Sequence, residues 1–308
     1  MSGTLVTIAI PAYKATFLKE AISSALNQTY TNIELIVVDD ASPESIEEIT
    51  KGFNDSRIRY YRNATNLGKD DPSKNWNKCL EYAKGEYFAL LCDDDTYEPT
   101  FVEEMLKLAN DYPDVKVFRA RARTIDENNN IVNLYPSAPT FETCFDYMYQ
   151  KMSGFRRQTI SEFLYVTNYI KALGGYTNTP RAWTADSLSI YKFAWKNGIV
   201  STVNILINFR DSSENISSIY SDALQKRDAL LFFKKEIQHY IQNLAEQNQQ
   251  QLLKNALYYF MYTEIIMLCT HASIIDIAKI VIQGGFPRKW FLFILVKKIS
   301  SFSKKGAS

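Results

Sequence analysis

Short apolar runs alternate with stretches whose apolar residues recur every three or four positions, and this alternation governs the first half of the chain. Leu5 to Ile10 (LVTIAI) and Glu34 to Val38 (ELIVV) are continuous runs of the kind that fill strands buried on both faces. Between them Phe17, Leu18, Ala21, Ile22, Ala25 and Leu26 fall at helical spacing, so the three segments predict a βαβ unit. Ile58 to Tyr61, Tyr87 to Cys92 and Val115 to Arg121 are further strand candidates, and alternation along the last of them puts Arg119, Arg121 and Arg123 on one face. One intervening helix is predicted to open at Ser42, Pro43 and Glu44 as cap, first residue and acidic first turn. A second is capped by Ser73, buries Trp76, Cys79, Leu80 and Ala83, and stops at Gly85. A third carries a capping box of Thr100 and Glu103 ahead of Val102, Met105, Leu106 and Ala109. The layout predicts an α/β fold with a doubly wound, mostly parallel sheet.

Beyond Asn129 the pattern loses regularity, with strand-like Ile131 to Tyr135 and Val203 to Phe209, a polar stretch around Gln158 and a turn at Gly174 and Gly175. Past Ser212 it becomes helical. Leu224, Leu231, Phe232, Ile237, Ile241 and Leu244 lie in a segment free of Gly and Pro, and Ala256 to Cys269 is apolar nearly all round, the mark of a buried or paired helix. Three parts are expected: 1–212, a helical region 213–287, and a tail 288–308.

Composition narrows the function. A chain of 308 residues with 46% apolar content can bury a core, and a formal charge of +1 gives no field that would attract nucleic acid. That near-neutrality hides a division: residues 1–287 carry a net charge of −5 and the last 21 residues carry +6. In the tail, Trp290 to Val296 (WFLFILV) is flanked by Arg288, Lys289, Lys297 and Lys298, with Lys304 and Lys305 beyond. Basic charge around an aromatic-rich run reads as an anchor for an anionic membrane surface, or as a terminal helix packed on the helical region. The cysteines Cys79, Cys92, Cys144 and Cys269 are scattered without a CxxC pair, and Met1 to Thr4 lacks the features of a secretory signal. The expected location is the cytoplasm, with peripheral attachment to the inner face of the cell membrane.

Carboxylates gather where strands end, which in open α/β sheets is where ligands bind. Asp39 and Asp40 close the second strand candidate, and Asp93, Asp94 and Asp95 follow the fourth. Alternation in an extended segment would send Asp93 and Asp95 to one side and Asp94 to the other. Three adjacent carboxylates repel one another, and a hard divalent cation shared with substrate phosphates relieves that conflict; read alone, the triplet could equally be a solvated acidic turn. The first strand leads into PAYKAT with no G-x-G-x-x-G, which disfavours a dinucleotide site.

Several motifs occur in a fixed order: Val6 to Tyr13 (VTIAIPAY), Ala25 to Tyr30 (ALNQTY), Ile33 to Ser42 (IELIVVDDAS), Asn66 to Gly68 (NLG), Asn75, Ala83 to Tyr87 (AKGEY), Cys92 to Pro99 (CDDDTYEP), and Leu173 to Tyr176 (LGGY) ahead of Ala185 and Asp186. In that combination, from about Val6 to about Arg210, the chain resembles the GT-A-fold, family 2 inverting glycosyltransferases of the bacterial surface-polysaccharide type. The resemblance implies a Rossmann-like catalytic part over 1–212 that binds a nucleotide sugar. It gives Tyr13 the role of stacking on the nucleobase, with the backbone of Pro11 and Ala12 close by, and Asp40 that of accepting uracil N3–H. Asp39 is then structural. Asp94 corresponds to the principal ligand for Mn²⁺ or Mg²⁺ in the D-x-D motif and Asp93 to its ribose-side neighbour, while Asp95 satisfies D-x-D in the alternative register. Asp186 corresponds to the catalytic base that takes a proton from the acceptor hydroxyl. The implied reaction moves a hexose or N-acetylhexosamine from a UDP-sugar to a glycan or lipid-linked acceptor, with no nucleic acid partner; a non-catalytic nucleotide-sugar-binding or membrane scaffold of the same fold is the alternative. Lys69, Lys74 and Arg210 are candidate diphosphate contacts, and Arg156, Arg157, Arg181 and Trp183 flank the expected acceptor side, where Trp183 reads as a sugar-stacking ring or as core.

Overall fold

The computed structural model describes residues 3–212, 222–270 and 272–305. Lys297, Lys298, Lys304 and Lys305 of the basic tail lie outside the residues whose side chains are described. The chain opens with β1 (Val6–Ala12), α1 (Leu18–Leu26), β2 (Ile33–Asp39), α2 (Ile46–Lys51), β3 (Ile58–Arg62), α3 (Ser73–Tyr82) and β4 (Tyr87–Leu90). β1 pairs in parallel with β2 from Val6↔Ile33 to Ala12↔Asp39, and with β4 on its other side. β3 completes this parallel half against β2.

The chain continues through β5 (Thr96–Tyr97), α4 (Phe101–Asp111), β6 (Val117–Ile125), β7 (Ile131–Leu134), β8 (Phe141–Glu142), α5 (Cys144–Met152), β9 (Phe163–Val166), α6 (Thr167–Ala172), α7 (Ala185–Ala194) and β10 (Ile199–Arg210). The sheet order is β3-β2-β1-β4-β9-β6-β10-β5. One strand is not among those expected from the sequence: β9 inserts between β4 and β6 and runs antiparallel to both. Its short run FLYV, behind a polar stretch, carries no strong periodic signal; its place is set by Phe163, Leu164 and Tyr165, which are fully buried.

None of the three predicted caps makes its capping bond to a helix as read, although Thr100 does stand at the N-cap position and Ser42 Oγ still accepts from Glu44 N at 3.1 Å. The Ser42 hydroxyl donates to the Tyr13 carbonyl at 2.5 Å, and the helix begins at Ile46 instead. Ser73 is the first helical residue and donates to Asp71 at 2.5 Å, while the Thr100 hydroxyl donates to Glu104 at 3.1 Å and caps no amide. The alternating arginines hold as read: Arg119 pairs with Glu162 at 2.7 Å, Arg121 donates to the Tyr135 carbonyl, and Arg123 pairs with Glu98.

Side chains from alternate strand positions feed two buried layers. Ile8 and Ile10 pack with α1 and α4, whereas Ala9, Val38, Phe88 and Leu90 pack on the opposite face. The second layer runs without a break into the helical region, formed by α8 (Ala223–Gln242), α9 (Gln247–Cys269), α10 (Ile274–Ala278) and α11 (Arg288–Lys305). Leu253, Ala256, Leu257, Phe260, Met261, Ile265 and Leu268 form the buried stripe of α9, at helical spacing. Each large side chain so covered contributes about 1.5–3 kcal/mol, so α9 is held firmly against α8 and α5.

Candidate active site

A cavity of about 860 Å³ opens at the carboxyl ends of β1, β2 and β4 and extends to α7 and α9. Of the residues assigned from sequence, Pro11, Tyr13, Asp40, Asp93, Asp94 and Asp186 all line it. Ala12 does not: it is buried, and its carbonyl accepts the Asp40 N–H at 2.9 Å. Tyr13 is 41% exposed, leaving its ring open to a planar ligand.

Asp40 organises the loop opposite. Its Oδ1 accepts from Asn63 Nδ2 at 2.7 Å and Leu67 N at 2.9 Å, and its Oδ2 accepts from Gly68 N at 2.6 Å. A carboxylate offers about four lone-pair positions, so this count leaves one on Oδ2. Glycine is required at 68 by close approach, since a Cβ there would stand 2.7 Å from Asp40 Oδ2. Asp39 faces away, accepting from Ser42 N, Tyr60 Oη and Arg62, which agrees with a structural role.

The aspartate triplet does not follow the expected alternation, because Asp93 and Asp94 lie in a turn rather than in extended chain. Both therefore face the cavity. Asp93 Oδ2 accepts the backbone N–H groups of Tyr13 and Lys14, each at 2.8 Å, and Asp94 Oδ2 pairs with Lys14 Nζ at 3.2 Å. Burial, reinforced by the charge of Asp94, pushes the Asp93 carboxyl up to about 6. Lys14, which burial alone would weaken as a base, is instead held above its ordinary value by Asp94 and Asp93. Asp95 is fully buried, does not line the cavity, and accepts from Ser161 Oγ at 2.6 Å and Arg210 N at 3.0 Å.

Donor atoms of Cys92, Asp94 and Asp95 lie within 4.8 Å of one another. Burial raises the Cys92 thiol well above its ordinary range, so it stays protonated and is a poor partner for a hard cation. Asp94, already facing a cation at the cavity wall, suits Mg²⁺ or Mn²⁺ that completes its shell with substrate oxygens. Arg210 is not a diphosphate contact. It is fully buried, bracing the Asp94 carbonyl at 2.9 Å while pairing with Glu20. Lys69 lines the cavity and Lys74 does not.

Asp186 lies in the first turn of α7, where Gln158 Nε2 donates to its Oδ2 at 2.7 Å. Gln158 Oε1 in turn accepts from the buried Tyr147 hydroxyl at 2.7 Å, so the amide cannot turn over without breaking two bonds. Thr184 stands at the N-cap of this helix without a side-chain capping bond: its φ is 65°, and Arg181 (59°) and Ala182 (49°) are likewise left-handed on the other side of an extended Trp183, each at a cost of about 1–3 kcal/mol. Trp183 lines the cavity and donates from Nε1 to Glu264 Oε2 at 2.9 Å. Arg156 is buried against Glu142, and neither it nor Arg157 lines the cavity, so these two leave the acceptor side.

Sequence reading missed Gln158 as a partner of Asp186, and missed Phe260, Glu264 and Met267 of α9, which line the same cavity. One signal was present: Glu264 is the lone acidic residue within the apolar run from Ala256 to Cys269. Burial, aided by the charge of Asp186, raises its carboxyl above the ordinary value.

Residues 7–169 match the pattern of Glycosyl transferase family 2. An uncharacterized glycosyltransferase of Rickettsia typhi is 39% identical over 117 residues, covering 37% of this chain and 35% of that one. Another, from Methanocaldococcus jannaschii, is 31% identical over 157 residues, covering 49% and 53%. The chain thus spans about a third to a half of the length of these relatives. Among solved structures, S. aureus TarS 1–349 in complex with UDP-GlcNAc is similar with a TM-score of 0.68 at 16% identity, over 90% of this chain and 84% of that one. The mannosyltransferase PcManGT from Pyrobaculum calidifontis, in complex with GDP-Man and Mn²⁺, gives 0.58 at 14% identity, over 96% and 86%. Both share the GT-A fold described above, with its large sheet and C-terminal helices. Since the family pattern covers more than half of the residues, running from β1 into α6, the chain belongs to glycosyl transferase family 2.

Proposed function

We propose that this protein is a metal-dependent, inverting glycosyltransferase that moves a hexose or N-acetylhexosamine from a UDP-sugar to a hydroxyl of a glycan or lipid-linked acceptor in surface polysaccharide synthesis. One observation carries the reading: a single cavity has Tyr13, Asp40 and Asp94 along one part of its wall and Asp186 along another. Tyr13 would stack on the uracil, and the remaining lone pair of Asp40 Oδ2 would accept its N3–H. Asp93 holds the Tyr13–Lys14 backbone in place for this contact. Asp94 would hold Mn²⁺ or Mg²⁺, which supplies positive charge to the diphosphate leaving group; Asp95 secures the turn that presents it.

In the transfer, the acceptor hydroxyl oxygen bonds to the anomeric carbon as the bond from that carbon to the phosphate oxygen breaks. The nucleoside diphosphate leaves with the electron pair, and the hydroxyl proton passes to Asp186. Because the attack comes from the face opposite the leaving group, the anomeric configuration inverts. The leaving group needs no protein acid, since the diphosphate departs as an anion. Nucleotide sugars in the TarS and PcManGT complexes, and Mn²⁺ in the latter, support the donor class and the metal.

The helical region 213–287 would complete the cavity wall, and the tail 288–308 would rest on anionic lipid at the inner face of the cell membrane. Among the described residues no helix is long and apolar enough to cross a membrane. α11 buries Trp290 and Ile294 but leaves Leu292, Phe293 and Val296 exposed beside Arg288 and Lys289, the arrangement of a peripheral contact. Asp186→Asn tests the central claim. It should bind UDP with Mn²⁺ as the wild type does and lose about 10²–10⁴-fold in transfer rate; undiminished transfer removes Asp186 from the base role.

A further inference from the structure

Three anchors from the helical region fix the loop that leads into Asp186. Arg181 Nε donates to Asp222 Oδ2 at 2.7 Å, Lys226 pairs with the same carboxylate at 3.0 Å, and Glu264 accepts from Trp183. Lys226 Nζ also stands 4.5 Å from the centroid of the Trp183 ring. These contacts hold Arg181, Ala182 and Thr184 in left-handed conformations that no glycine relieves. The result is an indole fixed in the cavity wall. Trp183 lines the cavity, whereas the ammonium over its ring does not.

What this corner could bind follows from its chemistry. Trp183, Phe260 and Met267 give an apolar wall, and Glu264 sets a carboxylate among them, close enough to Asp186 to feel its charge. Lys151 also lines the cavity and offsets part of the charge of the two carboxylates, so the corner exerts little net pull on an anion, and an alkyl chain would give Glu264 no donor beyond Trp183 Nε1. A sugar ring satisfies both demands. Its C–H face packs on an indole, and its hydroxyls donate to carboxylate oxygens.

We propose that Trp183 and Glu264 form an acceptor subsite for a neutral pyranose ring, built jointly by the sheet part and α9, which presents one ring hydroxyl to Asp186. The inference rests on the reading of Asp186 as the base and narrows the acceptor to a sugar hydroxyl. It makes Glu264 a specificity-determining residue outside the segment matched by the family pattern.

The test uses the full chain with methyl glycosides of glucose, galactose and N-acetylglucosamine, observed by saturation-transfer NMR, with UDP and Mn²⁺ titrated in parallel by calorimetry. Wild type should saturate the ring protons of at least one glycoside. Trp183→Ala and Glu264→Ala should weaken that binding by about tenfold or more, as expected for a lost stacking face or charge-assisted hydrogen bond. Glu264→Gln, which keeps an acceptor for Trp183 Nε1, guards against misfolding. It should retain UDP affinity and thermal midpoint while still weakening the glycoside. Glycoside binding equal in wild type and all three variants overturns the subsite. UDP binding with no glycoside binding also overturns it while leaving the donor reading intact. Glycoside binding sensitive to these variants but without any UDP binding upholds the subsite and rejects the donor reading.

Discussion

Asp93 should destabilise the folded protein at neutral pH, and replacing it should show this. Its side chain is 8% exposed, and burial together with the neighbouring Asp94 pushes its carboxyl up to about 6 from an ordinary 3.8. A folded value above the unfolded one means the fold prefers the protonated form. That preference is fully felt below about pH 4 and is lost as pH rises through 6, so above it the carboxylate costs up to about 3 kcal/mol. Asn keeps a carbonyl to accept from the Tyr13 and Lys14 amides but is a weaker acceptor than a carboxylate, which leaves a net gain of about 1–2 kcal/mol. For a chain of this size that is a rise of about 2–4 °C in thermal midpoint. Thermal unfolding followed by circular dichroism, with EDTA present, should therefore find Asp93→Asn more stable than wild type near pH 8 and no more stable near pH 4. Equal or lower stability near pH 8, or a gain independent of pH, would refute the reasoning. The same variant should bind UDP and Mn²⁺ more weakly, because the destabilising charge is the one that a cation or a diphosphate-bound metal would neutralise.

Other expectations follow from single contacts. Gln158→Leu removes the donor at 2.7 Å from Asp186 and should lower kcat about 10- to 100-fold with UDP affinity unchanged; an unaltered kcat would show that Asp186 needs no such positioning. It also orphans the Tyr147 hydroxyl at a cost of about 1–3 kcal/mol, so adding Tyr147→Phe should recover stability and leave kcat low. Gly68→Ala places a Cβ 2.7 Å from Asp40 Oδ2 and 3.3 Å from Pro72 Cα, and calorimetry should find UDP bound about tenfold more weakly. Unchanged affinity there would separate the Asn66–Gly68 loop from the nucleotide. Leu292→Ser with Phe293→Ser should reduce sedimentation with phosphatidylglycerol vesicles, since both residues are exposed on α11; undiminished binding would discard the tail contact.

The parallel half of the sheet was legible because its information is local. The runs ending at Ile10, Val38 and Tyr61 each carry their own periodicity, and the motifs around Tyr13 and Asp40 sit where those strands stop. On the opposite side of the cavity Asp186 and Trp183 were picked out, but the partners that hold them were not, because these are remote in sequence. Trp183 meets Glu264 across 81 positions, and Asp186 meets Gln158 across 28. The helix expected from Ser42 starts later, at Ile46, and the helices at Ser73 and Thr100 start where expected but without the capping bonds, for a related reason: a hydroxyl that suits a cap also suits any nearby acceptor, and tertiary packing supplied one.

The aspartate triplet shows most plainly why residue type and spacing stop short of a role. Three identical neighbours end in three environments, each decided by a distant segment. Asp93 is taken by the Tyr13 and Lys14 amides some 80 positions away, and Asp95 by Ser161 and Arg210, 66 and 115 positions away. Asp94 alone meets a side-chain cation at the cavity, and Arg210 grips its carbonyl from beneath. The buried Arg210, read from sequence as a phosphate ligand, thus reaches the chemistry through the backbone it braces. It is a positioning residue, and its replacement by Met should loosen the turn that aims Asp94. The loss should appear first as weaker Mn²⁺ and UDP binding, because Asp186 is held independently by Gln158.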